Sequence, residues 1–281
     1  MEKISCVRNA TDKLYSYIHK TNTNPLPVKF SPHIHDSAEV YMMLSGDVEY
    51  VIEGNCYKLS PFDVLVMNEN ELHNVRVLGN TKYERVVLNI KSDFFKMYDI
   101  ENYKSIFTNR TPGNSNLIKG YIAQTEGLYD SLMRIEQYIH DGNKKNDMII
   151  RSMIIEFLHI LNKISVGDEK QDKKSLIVAD IISYINKNIS QPLSLEDTAK
   201  EFFISKYHLC RIFKESTGFT FNKYITIKRV ALVRTLCQQG YTISEAITSA
   251  GFGNYSNFYR IYVALTGHSP KDDLKSSNKK E

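Results

Sequence analysis

Three imidazoles and a carboxylate set the chemical possibilities of the first hundred residues. His33 and His35 are separated by a single residue, Glu39 and Gly46 follow, and Pro61-Phe-Asp63 and His73 come later. Side chains alternate along a strand, so a strand here would turn His33 and His35 to one face, where Glu39 and His73 could join them inside a barrel. Such a set is a credible inner shell for zinc, iron, manganese or nickel. Three readings stand. The group contacts an organic effector, with Tyr41 beside His33, His35, Glu39 and His73. Alternatively, the two outer histidines, Glu39 and His73 hold a divalent metal, or the histidines are buried and structural. Met43, Tyr50 and Tyr57 would line a pocket under the first reading, although aromatic strand residues are more often plain core.

The elements that must position this group read as strands. Val40–Leu44, Asp47–Ile52, Val64–Met67 and Arg85–Ile90 are short and rich in β-formers, punctuated by Ser45-Gly46, Glu53-Gly-Asn55 and Ser60-Pro61. Short strands at this spacing suggest a barrel or sandwich. From about residue 117 the pattern turns helical, with spans expected over Leu117–His140 and Asp147–Ile164. In the second, Ile150, Met153, Ile154, Phe157, Leu158, Leu161 and Ile164 form a wide apolar stripe, and Ile149, Ile155 and Ile160 extend it. A stripe that wide is expected to serve a homodimer interface, with plain domain core as the alternative. Ser165–Lys174 is polar and aperiodic, as a linker would be, and a helix is expected from about Ser175 to Ile189, before Gln191-Pro192. The tail Ser276–Glu281 is expected to fray.

The last hundred residues carry two helix-turn-helix patterns about fifty residues apart, Ser194–Lys214 and Thr242–Tyr262. Thr242 with Glu245 forms a capping box, and Ser194 with Asp197 is a shorter analogue. Ser269-Pro270 reads as a helix start. Gly251 suits a left-handed turn, whereas Phe203 stands at the matching place in the first pattern and would cost roughly 1–2 kcal/mol there. In the first expected reading helix Leu209, Ile212 and Phe213 face inward, leaving Lys206, Tyr207, Cys210, Arg211 and Lys214 outward. In the second, Phe258 and Ile261 anchor, leaving Asn254, Tyr255, Ser256, Asn257 and Arg260 outward. Arg pairs with guanine and Asn with adenine, so these faces can read base edges. Asn222–Cys237, with Tyr224, Ile225, Val230, Val233 and Leu236 at core spacing, is the expected rigid spacer.

Charge follows the same division. Residues 174–281 hold 15 Lys+Arg against 9 Asp+Glu, a net of +6, whereas residues 1–173 net −2. The positive field sits where phosphate contacts would need it. Cys6, Cys56, Cys210 and Cys237 form no CxxC pair or regular framework, which fits a reducing cytoplasm. Neither a secretion signal nor an apolar run of membrane-spanning length is evident, so a cytoplasmic protein without membrane association is expected.

The segments Leu195–Lys214, Thr217-Gly218, Tyr224–Val230, Gly251-Phe252, Phe258, Arg260 and Gly267–Pro270 resemble the AraC/XylS-type transcription regulators. The resemblance implies two three-helix subdomains joined by a long helix and bound to promoter DNA. It places base contacts on Tyr207, Cys210, Arg211, Tyr255, Asn257 and Arg260, and phosphate contacts near Lys206, Thr220, Asn222 and Asn254. The chain departs from that pattern at Ala246-Ile247, Val263-Ala264 and Asp273-Leu274. The spacing from His33 to Gly46 resembles the first cupin motif. The second motif is partial, because Phe62 stands where Gly is usual before Asp63. That resemblance covers about residues 25–95 and implies a double-stranded β-barrel that senses small molecules, often without a metal.

The expected fold is therefore α+β. A cupin-like effector-sensing and dimerisation domain spans 1–165, with the barrel at about 25–95 and helices at about 117–164. A linker follows at 166–174, and an all-α DNA-binding domain with two helix-turn-helix units occupies 175–275. The expected function is sequence-specific transcription regulation, modulated by a small molecule in the barrel, with no catalysis. The alternative is a metal-dependent cupin enzyme carrying a DNA-binding appendage.

Overall fold

A computed structural model describes residues 4–23, 25, 28–29, 33–69, 71–139, 147–164, 173–266 and 268–271. Most of the expected linker and the whole tail from Ser276 lie outside the described residues, as do His140, Asp273 and Leu274. The chain forms two compact units, Met1–Asp172 and Lys173–Glu281.

The first unit is two antiparallel sheets with helices on one side. One sheet has six strands in the order β1 (Ile4–Thr11), β2 (Tyr15–Asn22), β9 (Tyr83–Lys91), β4 (Ser37–Ser45), β7 (Val64–Met67) and β10 (Leu117–Ile118). The other runs β3 (Val28–Lys29), β8 (His73–Val77), β5 (Val48–Ile52) and β6 (Asn55–Lys58). Along β4 the pleat sends Ala38, Val40 and Met42 to the helices and Tyr41 and Met43 to the space between the sheets. Both faces of that strand are buried, which is why it reads as an unbroken apolar run instead of an alternating one.

Helices α1 (Ser92–Met97), α2 (Ser105–Thr108), α3 (Gly120–Thr125), α4 (Leu128–Ile139) and α5 (Asp147–Lys163) complete the unit. The expected single helix over Leu117–His140 is not formed. Leu117 and Ile118 pair with Leu65 and Val64 as a strand, and Gly127 at φ +78° breaks the rest into α3 and α4. The broad stripe on α5 is domain core: Ile150, Ile154, Phe157, Leu158, Leu161 and Ile164 are buried with Leu128, Leu132 and Ile135 of α4. Met148 and Ile149 remain exposed on its first turn. The sheet also begins earlier than the expected barrel, because β1 and β2 extend it from Ile4.

The second unit is all helical: α6 (Lys173–Lys187), α7 (Leu195–Glu201), α8 (Lys206–Thr217), α9 (Phe221–Gln238), α10 (Ile243–Ser249) and α11 (Tyr255–Thr266). Both expected caps form. Ser194 accepts from the Asp197 amide, and Thr242 with Glu245 closes a full capping box. Helix α9 serves two cores. Its Tyr224 packs edge-on against Phe213 of α8, while Val230, Val233 and Cys237 join Ala246, Ile247, Phe258 and Tyr262. Leu236, expected in the core, is only partly buried there. Among the described residues, no helix is long and apolar enough to cross a membrane.

Candidate DNA-reading face and barrel-mouth cluster

Helix α8 opens at Ser205, whose hydroxyl accepts from the His208 amide, and closes at Gly218 in the left-handed region. Leu209, Ile212 and Phe213 are buried, so the opposite face is turned to water. Lys206, Tyr207, Cys210, Arg211 and Lys214 are all exposed. Lys206 Nζ lies 3.1 Å from Glu196 of α7, and Arg211 Nη2 lies 3.3 Å from His208 Nδ1. The side chain of Thr220 does not bond the start of α9, and Thr220 and Asn222 are exposed there.

Helix α11 repeats the plan with different residues. Phe258 and Tyr262 are buried and Ile261 partly so; Arg234 of α9 donates from Nε to the Tyr262 hydroxyl at 3.2 Å. Asn254, Tyr255, Ser256, Asn257 and Arg260 are exposed. Asn254, placed by the resemblance near a phosphate, uses its Oδ1 to cap α11 through the Asn257 amide at 2.8 Å. Arg260 Nη2 donates to Asn257 Oδ1 at 3.2 Å. Arg211 and Arg260 are each the sixth residue of their helix, and each leans on the third. The sequence reading missed Tyr262 as an anchor; its position four residues beyond Phe258 on the same helix face carried that signal.

In the first unit, His33, His35 and His73 bring one ring nitrogen each within 4.8 Å of one another. Neither His33 nor His35 is on a regular strand as expected. His33 makes an isolated bridge to His73, and His35 lies in the irregular segment before β4. Glu39 of β4 sits beneath them, 3.2 Å from His35 Nε2 and 3.7 Å from His73 Nε2. Its other oxygen accepts from the Tyr50 hydroxyl at 3.2 Å. His73 Nδ1 is 2.8 Å from the Glu71 carbonyl, which fixes that nitrogen as the donor, and buried Nε2 has no hydrogen-bond partner among the described residues. His33 is exposed and His35 half-buried, whereas Glu39 and His73 are buried.

Burial alone would raise the Glu39 pKa, but the charge of His73 and the hydrogen bond and charge of His35 outweigh it and hold the carboxyl below its ordinary value. His73 is held below the usual histidine value by burial, against the pull of Glu39. His35 is raised, because Glu39 overcomes the burial that would lower it. Below this mouth, buried aromatic side chains lie between the sheets. Tyr41 is buried with its hydroxyl 2.8 Å from that of Tyr83, and Tyr50 and Tyr57 are buried beside it. Tyr50 lies between Tyr41 and the Glu39–His73 group, its ring 4.8 Å from Tyr41 and 5.9 Å from His73. Tyr50 as a carboxylate partner was not read from sequence; its hydrogen bond depends on a strand pairing that the local pattern does not encode.

Residues 198–276 match the helix-turn-helix domain family and residues 24–88 the cupin domain family. The Melibiose operon regulatory protein of Escherichia coli (strain K12) is 23% identical over 88% of this chain and 84% of its own. The HTH-type transcriptional activator RhaR of Cronobacter sakazakii is 20% identical over 86% of each. The crystal structure of ToxT from Vibrio cholerae O395 covers 96% of this chain and 100% of its own at 14% identity and a TM-score of 0.41. A tandem helix-turn-helix unit with two helices that each turn one face to solvent, a cupin-like unit ahead of it, and similarity over 86–88% of the chain to regulatory proteins together make this chain an AraC-type DNA-binding transcription regulator.

Proposed function

We propose that the chain regulates transcription by laying α8 and α11 in successive major grooves of promoter DNA, with occupancy set by a small ligand on the N-terminal unit. The matched placement of Arg211 and Arg260 carries this reading. Each guanidinium stands on the exposed face of its helix, braced by the residue one turn back and available for the paired contacts that Arg makes with guanine. Tyr207, Cys210, Tyr255 and Asn257 are proposed to share base contacts. Lys206, Lys214, Thr220, Asn222, Asn254 and Ser256 are proposed to face the backbone. Ligand control requires different affinity for two arrangements of the protein. The test is fluorescence anisotropy of the full chain on its own upstream regions and on scrambled duplexes. Preferential binding that Arg211→Ala weakens supports the proposal; equal affinity for all duplexes removes it.

The reading extends to a cytoplasmic regulator without catalytic activity. The end-to-end order of a cupin-like unit followed by a tandem helix-turn-helix unit supports this, since both curated relatives named above are regulators. It also extends to pairing of two copies through the outer face of α5, where Met148 and Ile149 stay exposed. A monomer whose sedimentation is independent of concentration would remove the pairing.

A second reading concerns the barrel mouth. His33, His35, Glu39 and His73 fit a divalent cation, and the buried Nε2 of His73, which has no hydrogen-bond partner among the described residues, favours this over a purely structural role. The backbone bond to Glu71 orients the His73 ring, and Tyr50 steadies Glu39, as outer partners of metal ligands do. A bound cation would neutralise Glu39 and offer a Lewis-acidic position toward an oxygen-bearing effector. Elemental analysis decides it: about one equivalent of metal, lost in His73→Ala, supports the reading, and absence of stoichiometric metal rejects it.

A further inference from the structure

The first unit has a second concavity that none of these readings uses. A cleft of about 530 Å³ lies between α2, the loop over residues 109–115 and the last turn of α5. We propose that this cleft is a second small-molecule site, outside the barrel, that takes a neutral polyhydroxylated ligand such as a sugar or sugar alcohol.

The lining chemistry makes the case. Ser105, Asn109, Thr111, Asn114, Ser115 and Asn162 supply amides and hydroxyls, groups that both donate and accept, as ligand hydroxyls do. Ser105 donates to Asn162 Oδ1 at 2.7 Å, which orients that amide. Among the described residues, the Asn109 and Asn162 amide nitrogens and the Thr111 hydroxyl have no partner. Among the described residues of the wall the one charged side chain is Arg110, and both of its Nη atoms lie against Glu71, at 2.8 and 2.5 Å. That guanidinium is matched by a buried carboxylate, so the cleft holds no spare charge for an acid or phosphate. Among the described residues that line it there is no aromatic ring for a base to stack on, and Ile106 is the single aliphatic residue, too little for a lipid chain. One short apolar patch among amides and hydroxyls suits the C–H face and the rim of a saccharide. The volume lies within the range of small-molecule sites.

The loop wall is built in advance. The Gly113 amide donates to Glu71 at 2.6 Å, and its carbonyl accepts from Asn55 at 2.8 Å and Tyr57 at 2.6 Å. A side chain at Gly113 would come within 2.7 Å of Glu53. Ser115 is held at φ +51°, a left-handed conformation that a serine adopts at some cost. A wall fixed before the ligand arrives spares the cost of ordering it. Glu71 also ties this wall to the barrel mouth, since its carbonyl faces His73 Nδ1. Asn162 stands near the end of α5, the last described helix before the DNA-binding unit in chain order.

The test uses the full chain and a panel of neutral monosaccharides, disaccharides and sugar alcohols, read by calorimetry and by hydrogen exchange. At least one member is expected to bind and to protect amides over residues 105–115. Asn109→Ala, at an exposed position, and Asn162→Ala should each weaken it at least about tenfold, while His35→Ala at the barrel mouth leaves it unchanged. The proposal is overturned if no member binds at about 10 mM, ten times a weak Kd of about 1 mM. It is equally overturned if binding survives both asparagine substitutions, if protection falls on residues 35–52 instead, or if only acidic or lipid ligands occupy the cleft.

Discussion

The two helix-turn-helix units share a backbone but not a turn residue. Phe203 and Gly251 both sit in the left-handed region, at φ +54° and +78°. Around Gly251 there is no room: a Cβ would lie 2.7 Å from the Ser190 carbonyl oxygen and 3.2 Å from Arg229. Arg229 in turn donates to the carbonyls of Ile189 and Gln191, so this turn seats against the end of the first subdomain. Around Phe203 there is open water, and the ring is 96% exposed. The same φ therefore demands glycine in one unit and merely disfavours phenylalanine in the other. What neighbours the turn, rather than its conformation, decides the residue. Phe62, where the cupin pattern has glycine, makes the same point inside the first unit. It sits at φ +68° and packs edge-on against Tyr129 at 5.1 Å.

Gly251→Ala should break this comparison most severely. Left-handed strain and the Ser190 contact together cost at least about 2 kcal/mol, visible as a lower urea midpoint. Next come the reading residues. Arg211→Ala should lose about 2 kcal/mol of specific binding, roughly 30-fold. Arg260→Ala should lose about 1 kcal/mol, roughly fivefold. The order follows from charge: α8 also carries Lys206 and Lys214, while Arg260 is the sole Lys or Arg on α11. Anisotropy titrations that reverse the order would reject this ranking of the units. Phe203→Gly should stabilise by about 0.5–1 kcal/mol, strain relief less the entropy glycine adds to the unfolded chain. It should leave DNA affinity unchanged; a lower melting temperature would mean that the exposed ring has a partner.

The smallest effect is a labelling difference. Burial and the Glu49 charge push the Cys56 thiol up to about 11, so its alkylation is slow near neutrality and quickens as pH climbs toward that value. Cys210 is a free thiol on the exposed face of α8. Operator DNA should protect Cys210 and leave the Cys56 rate alone; equal labelling of Cys210 with and without DNA would place α8 away from the groove.

The second unit was largely legible because its signals are local. Caps at Ser194 and Thr242, a glycine at 251 and apolar spacing at Leu209, Ile212 and Phe213 each act within a few residues. The first unit hid more. The Tyr50–Glu39 and Arg110–Glu71 contacts need a complete sheet before their partners meet, and no short window encodes them. Strand β1 pairs only with β2 and lies at the edge of its sheet, where apolar patterning is weak. The stripe on α5 was visible, but its partner was not: α4 and α2, which lie against it, are brought there only by the tertiary fold.

The most direct measurement selects DNA sites in vitro with the full chain and with each arginine variant. Two helices reading adjacent grooves predict two conserved segments about 10 bp apart, with Arg211→Ala relaxing one segment and Arg260→Ala the other. A single conserved segment, or both substitutions relaxing the same bases, would contradict the account.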